Sequence, residues 1–481
     1  MPSFRLFRKA CAACACTFLL ILVSCGGGSS SAPEVPAAPQ VQLGFAPTQV
    51  VSGQPSTLTW SSTNATACTA SGSWSDPQPT SGVLAIRPSA AGALTYRLDC
   101  TGPGGTAGAS AVLAVLAPPA PPGGNVMPVV LDRGPAGDSF NMPFVSVTVC
   151  SPGTTSCRTV DRVLLDTASV GLRIVAPALD LATSLPAVTN AANLPVAECG
   201  QFVSGFTWGS VRRADVKLGG ATAAGIPIQL IADPSPVYAA TPIGCSSIGF
   251  DQGTAAALGA NGILGVSMFT RDCSTRCTNS TAPRVYYACT PTGCASTALP
   301  LESQVANPVV FLAGNSNGLT LTLPQVPIGG VTRLGGTLTF GIGTQANNQL
   351  AGATVLPTDS KGNFTTVYKG TAYGSAFIDS GSNGIFFEDP AIPACGDFYC
   401  PVAPLQLTAV NASPAGQSVT VGFTIDNINL VANRVSAMNA GGPLGAARSF
   451  DWGVPFFFGR TVFLAIEGAQ TSGGVGPYWA Y

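Results

Sequence analysis

The decisive stretches are Leu164-Leu165-Asp166-Thr167-Ala168-Ser169-Val170-Gly171-Leu172 and Phe377-Ile378-Asp379-Ser380-Gly381-Ser382-Asn383-Gly384-Ile385. Each runs two apolar residues into an Asp, then Thr or Ser, a small residue, Ser, any residue, Gly and an aliphatic. The apolar lead-in delivers a carboxyl group to the end of a buried strand. The following hydroxyl can bond across to a partner loop, the small residue lets the chain turn tightly, and the Ser can donate to the carboxylate. One buried, unpaired Asp is costly. Two such loops meeting about a twofold axis can share a proton, because adjacent like charges resist joint ionisation. The product is one acid and one base flanking a water, an arrangement suited to amide hydrolysis.

The rest of the chain narrows the chemistry. None of the 481 residues is histidine, which removes Ser-His-Asp and Cys-His catalysis and every His-containing zinc site. Acid–base work falls to carboxylates, Lys, Tyr or Cys, and no cofactor is expected. Charged residues make up only 9% of the chain and the net charge is −1. No basic stripe is present, so nucleic acid is not an expected partner. The 57 Gly and 40 Pro lie among short runs of Val, Thr and Leu, a pattern of strands and turns that predicts an all-β protein.

Residues 1–24 read as a lipoprotein signal peptide. Arg5, Arg8 and Lys9 precede an apolar stretch from Ala10 to Val23, too short for a comfortable membrane span. Leu22-Val23-Ser24-Cys25 resembles a bacterial lipobox, with Cys25 the expected site of lipidation. Residues 25–40 are a flexible Gly/Ser/Pro tether. The expected location is therefore the bacterial cell envelope, with the membrane as a partner through Cys25. Gly26, standing where an Asp would favour inner-membrane retention, points to the outer membrane.

Residues 41–117 carry alternating strands around Trp60, Cys68, Tyr96 and Cys100. A Cys pair of this spacing with a Trp on a nearby strand fits an immunoglobulin-like sandwich, although the Trp precedes the first Cys. Residues 118–126 form a Pro/Gly linker, and 127–481 run on as one β-rich unit. In an exported chain the cysteines after the signal region read as disulfides. Cys150/Cys157 and Cys395/Cys400 fit local staples, and Cys199/Cys245 follows by elimination. Cys273, Cys277, Cys289 and Cys294 leave three connectivities open. Within that last loop, Tyr286 and Tyr287 are the aromatics to inspect for contact with a substrate or partner.

Over 127–481 the chain resembles the pepsin-like, two-lobed aspartic proteases. Residues 144–169 resemble that family's opening hairpin and first Asp strand, and 202–220 its flap hairpin. Residues 261–269, with Ile263-Leu264-Gly265, resemble the apolar-apolar-Gly segment supporting the first Asp loop. Residues 336–343 resemble the connection into the second half. Residues 451–468 supply a second apolar-apolar-Gly as Phe457-Phe458-Gly459, and 474–481 resemble the closing strand. Together with the sandwich read at residues 41–117, the resemblance gives an all-β chain, an N-terminal Ig-like β-sandwich followed by a two-lobed pepsin-like domain with lobes at about 127–330 and 331–481. It implies a catalytic pair Asp166 and Asp379, cross-lobe bonds from Thr167 and Ser380, and carboxylate support from Ser169 and Ser382. Phe202 falls where the flap usually has Tyr, with Trp208 a substitute, and Ala168 stands where the family usually has Gly. The implied activity is a lipid-anchored endopeptidase acting on peptide or protein. The alternative is a catalytically silent relative that binds peptide, glycan or an envelope protein.

Overall fold

The computed structural model describes residues 36–481, apart from 52–53, 89–91, 117–123, 181–184, 432–434 and 447. The signal region, Cys25 and most of the linker therefore lie outside the described residues. The described chain is all-β, and its three α-helices are single turns of four residues.

The N-terminal module has two sheets. Gln40–Ala46, Ser56–Thr63 and Ser81–Ile86 make a three-stranded sheet. A five-stranded sheet holds the long hairpin Gly92–Gly102/Gly105–Leu116 and the strand Ala67–Gly72. Alternation places Leu58, Trp60, Tyr96, Leu98 and Leu113 in a core of their own. Cys68 and Cys100 are bonded, and they sit opposite each other on neighbouring strands of one sheet. This staple crosses two adjacent inner strands of one sheet; it does not tie two sheets together, as the antibody-type pattern would.

From Val126 onward, β-branched and aromatic runs build two strand assemblies over a shared core that includes Val163, Leu264, Phe450 and Trp452. The strands that place the site are β1 (Pro143–Cys150), β2 (Cys157–Asp166), β3 (Val170–Val175), β4 (Val196–Phe202), β5 (Gly205–Leu218), β6 (Ala221–Ile231) and β7 (Gly262–Val266). The second half supplies β8 (Phe364–Tyr368), β9 (Thr371–Ile378), β10 (Ile385–Phe386) and β11 (Ser449–Trp452).

The two halves repeat one local topology. In the first, β2 runs parallel to β7 with Asp166 opposite Gly265, and β3 pairs antiparallel on the other side of β7. In the second, β9 runs parallel to β11 with Ile378 opposite Trp452, and β10 pairs antiparallel to β11. Each Asp strand and its return strand thus clasp one inner strand. This register corrects the expectation for the second support segment. The counterpart of Ile263-Leu264-Gly265 is Asp451-Trp452-Gly453, whereas Phe457 closes a buried 3-10 turn and Gly459 lies beyond it.

The inner glycines are dictated by space. A Cβ on Gly265 would meet the Ser169 backbone and hydroxyl at 2.8 Å, and one on Gly453 would lie 2.0 Å from the Gly384 carbonyl. Only glycine lets the inner strand pass beneath each Asp loop.

Candidate active site

At the ends of β2 and β9 the two loops interlock through four hydrogen bonds. Ser380 Oγ donates to the Leu165 carbonyl at 2.7 Å and accepts from Thr167 N–H at 3.1 Å. Thr167 Oγ1 donates to the Ile378 carbonyl at 3.3 Å and accepts from Ser380 N–H at 2.9 Å. Both residues are buried. Each hydroxyl therefore satisfies one donor and one acceptor of the opposite loop. Ser380→Ala would strand the Thr167 N–H and the Leu165 carbonyl away from water, an expected cost of about 3 kcal/mol. Chemical denaturation checks this, and Thr167→Ser, which keeps the hydroxyl, should cost well under half as much.

This clasp brings the carboxyl groups together. A single point, where a Cβ on Gly381 would stand, lies 3.1 Å from both Asp166 Oδ1 and Asp379 Oδ1. Asp166 Oδ1 accepts from Ala168 N–H at 2.8 Å and Ser169 N–H at 3.3 Å. Asp379 Oδ1 accepts from Gly381 N–H at 2.7 Å. Ala168 thus makes the same backbone bond to its carboxyl as Gly381 does.

The supporting serines differ. Ser382 Oγ lies 2.8 Å from Asp379 Oδ2, as expected. Ser169 Oγ has no hydrogen-bond partner among the described residues, so Ser169 supports Asp166 through its backbone N–H and not through its hydroxyl. Burial pushes the Asp379 carboxyl well above the usual carboxylate range, and the charges of Asp166 and Asp451 add to the rise.

Asp451, on β11, is the residue that sequence reading missed. It occupies the place that Ile263 fills in the first half, is 5% exposed, and puts Oδ2 2.6 Å from Ser382 Oγ. Burial is the main cause that pushes its carboxyl up to about 8. A carboxyl group inside an apolar strand of a chain so poor in charge was the available signal.

Beside the first Asp loop opens a cavity of about 680 Å³. Ala168, Ser169 and Phe202 line it from the first half, with Lys361 and Glu467 arriving from the second. Its floor carries buried Arg173 from β3, which donates to Glu198 on β4 and, at 2.6 Å, to the Val170 carbonyl next to the Asp loop. Asp272 lies 3.7 Å from the same guanidinium and accepts from Tyr286. Burial, reinforced by Glu198, holds the Asp272 carboxyl well above its usual range. Arg173 therefore braces the first Asp loop from below.

The hairpin of β4 and β5 turns at Val203-Ser204. Phe202 stands at this turn and faces the cavity, with the Arg173 guanidinium 5.6 Å from its ring centre. Trp208 does not serve the cleft. Its indole is buried, donates to the Tyr238 carbonyl at 2.8 Å and packs edge-on against Tyr287. Tyr286 and Tyr287 are themselves buried and offer no exposed contact. Disulfides join Cys150–Cys157, Cys199–Cys245, Cys395–Cys400, Cys273–Cys277 and Cys289–Cys294. Cys199–Cys245 ties the hairpin to the segment packed on Trp208.

Comparison with solved structures finds similarity to the aspartic proteinase from Irpex lacteus, at 16% identity and a TM-score of 0.41, covering 74% of this chain and 96% of that chain. No curated protein matches the chain. A family model described as "Protein of unknown function (DUF3443)" matches residues 121–481, and the chain belongs to that family.

Proposed function

We propose that this chain is an aspartic endopeptidase of pepsin-like design. The observation that carries the reading is the reciprocal Thr167/Ser380 clasp, which converges Asp166 and Asp379 on one point beside a cavity large enough for substrate side chains. Asp379, kept protonated by its surroundings, is the acid that donates to the scissile carbonyl oxygen. Asp166 is the base that takes a proton from the attacking water. The tetrahedral intermediate then collapses as a proton passes to the leaving amine. The Thr167/Ser380 bonds hold the two carboxyls at fixed separation, so little reorganisation accompanies the reaction.

The lipobox-like Leu22-Val23-Ser24-Cys25 and the following Gly26 support a location at the bacterial cell envelope, anchored through lipid on Cys25 and directed to the outer membrane, and peptide or protein is the substrate. Residues 41–117 act as an Ig-like spacer or weak adhesion unit.

Protein lacking residues 1–40 should cleave an unfolded polypeptide at mildly acid pH, in the presence of a chelator, and release new N-termini. A folded protein that binds such a peptide without cutting it across the pH range would replace this reading with that of a silent binding relative.

A further inference from the structure

The hydroxyl of Ser382 lies between two carboxyl oxygens, 2.8 Å from Asp379 Oδ2 and 2.6 Å from Asp451 Oδ2. A serine hydroxyl has one proton to give. It cannot donate to both, so one contact is a donation from Ser382 and the other is a donation to it. Since both partners are carboxyls, one must carry a proton on the oxygen facing Ser382. The three groups form a chain: carboxylic acid, hydroxyl, carboxyl acceptor.

Resting on the endopeptidase reading above, we infer that Asp451 is a positioning residue that holds a proton for the acid of the pair and exchanges it with Asp379 through Ser382. In one arrangement Asp451 Oδ2–H donates to Ser382 Oγ, and Ser382 Oγ–H donates to Asp379 Oδ2. When Asp379 has given its own proton to the substrate, the chain can shift. The Asp451 O–H bond breaks as a new Ser382 O–H bond forms, and the old Ser382 O–H bond breaks as an Asp379 O–H bond forms. One proton moves, no net charge is created, and the reverse shift restores the start.

The surroundings fit such a reservoir. Among the described residues Asp451 Oδ1 has no hydrogen-bond partner, and the side chain's one polar tie there is to Ser382. Its strand neighbours are Phe377 on β9 and Phe386 on β10, both apolar. Among the described residues, the charged groups that bear on it are Asp379 on the β9 loop and Asp166 on the β2 loop, with no cation among them. Burial among these favours the neutral acid. The first half has nothing similar, because Ile263 stands at the equivalent place and Ser169 Oγ is unbonded. The asymmetry marks Asp379, not Asp166, as the carboxyl that is resupplied.

The test combines infrared titration of protonated carboxyls with the pH profile of cleavage, comparing wild type, Asp451→Asn and Ser382→Ala in protein lacking residues 1–40. Asn is nearly isosteric and can still donate to Ser382, so the fold is kept while the mobile proton is lost. At neutral pH, Asp451→Asn should remove one protonated-carboxyl band and leave the remaining carboxyl bands in place. Asp379→Asn should shift the Asp451 band in wild type but not in the Ser382→Ala background. The alkaline limb of cleavage should fall by about one pH unit in Asp451→Asn, a tenfold relative loss on that side. An unchanged carboxyl spectrum in Asp451→Asn overturns the proton assignment. An unmoved alkaline limb, in protein that does cleave, overturns the exchange. The infrared arm needs no turnover. Protein that shows the expected bands and never cleaves therefore counts against the endopeptidase reading and leaves the proton on Asp451.

Discussion

Asp166→Asn and Asp379→Asn are each expected to lower peptide cleavage by about a thousandfold or more, and the double variant should be little worse than either single one. The reason is that acid and base act as a unit on one water, so losing either removes most of what the pair supplies. Asn keeps an oxygen where Asp166 Oδ1 accepts from Ala168 and Ser169, and where Asp379 Oδ1 accepts from Gly381. The Thr167/Ser380 clasp does not involve the carboxyls at all. Loss of activity should therefore come without loss of fold, seen as an unchanged near-ultraviolet circular dichroism spectrum. If both single variants keep activity within tenfold of wild type, the two carboxyls are not the catalytic pair.

How much of this site could be read from sequence depended on whether the signal was local. Two apolar-Asp-hydroxyl-small-Ser phrases are visible without a structure, and the chemistry of Thr167 and Ser380 follows from the need to satisfy polar groups at buried strand ends. The short disulfides Cys150–Cys157 and Cys395–Cys400 are legible for the same reason, since their partners are close in the chain. The second inner strand was not legible. Between Phe450 and Gly459 the chain offers more than one apolar stretch ending in Gly, and only the pairing of Phe377 with Asp451 and Ile378 with Trp452 decides the register. Because Asp451 interrupts the apolar pattern there, the segment that looked apolar throughout was the wrong one. Trp208 misled similarly. Side chains alternate along β5, and the alternation that points Phe206 and Trp208 into the cluster around Cys199–Cys245 turns them away from the cleft. Arg173, Glu198 and Asp272 come from three separate segments, and nothing in one segment announces the other two.

These buried acids also bear on stability, and the expected result is a protein that weakens as pH rises through neutrality. In Asp379, Asp272 and Asp451 the folded carboxyl titrates above the unfolded one, Asp451 at about 8. Between the unfolded value near 3.8 and the folded value, the unfolded chain has lost a proton that the folded chain still holds. The unfolded state binds fewer protons, so unfolding free energy falls as pH rises, by about 1.4 kcal/mol per pH unit for each such group across its window. The contribution is fully present below about pH 4 and lost as pH climbs through the folded values. Asp389 acts in the opposite sense. Its carboxyl is burdened by burial, but bonds from Lys369 and Tyr368 pull it below the usual value. The stability it adds is lost only as pH falls beneath about 4, outside the window of the other three. The thermal midpoint of the 127–481 unit should therefore drop by several degrees, roughly 5 °C or more, between about pH 5 and pH 8. Asp451→Asn removes one titrating group, so it should flatten that slope by one proton's worth while Asp389→Asn leaves it alone. A midpoint that stays level or rises over this range would mean that the buried carboxyls are ionised in the folded protein, and that the proton held between Asp379 and Asp451 is not there.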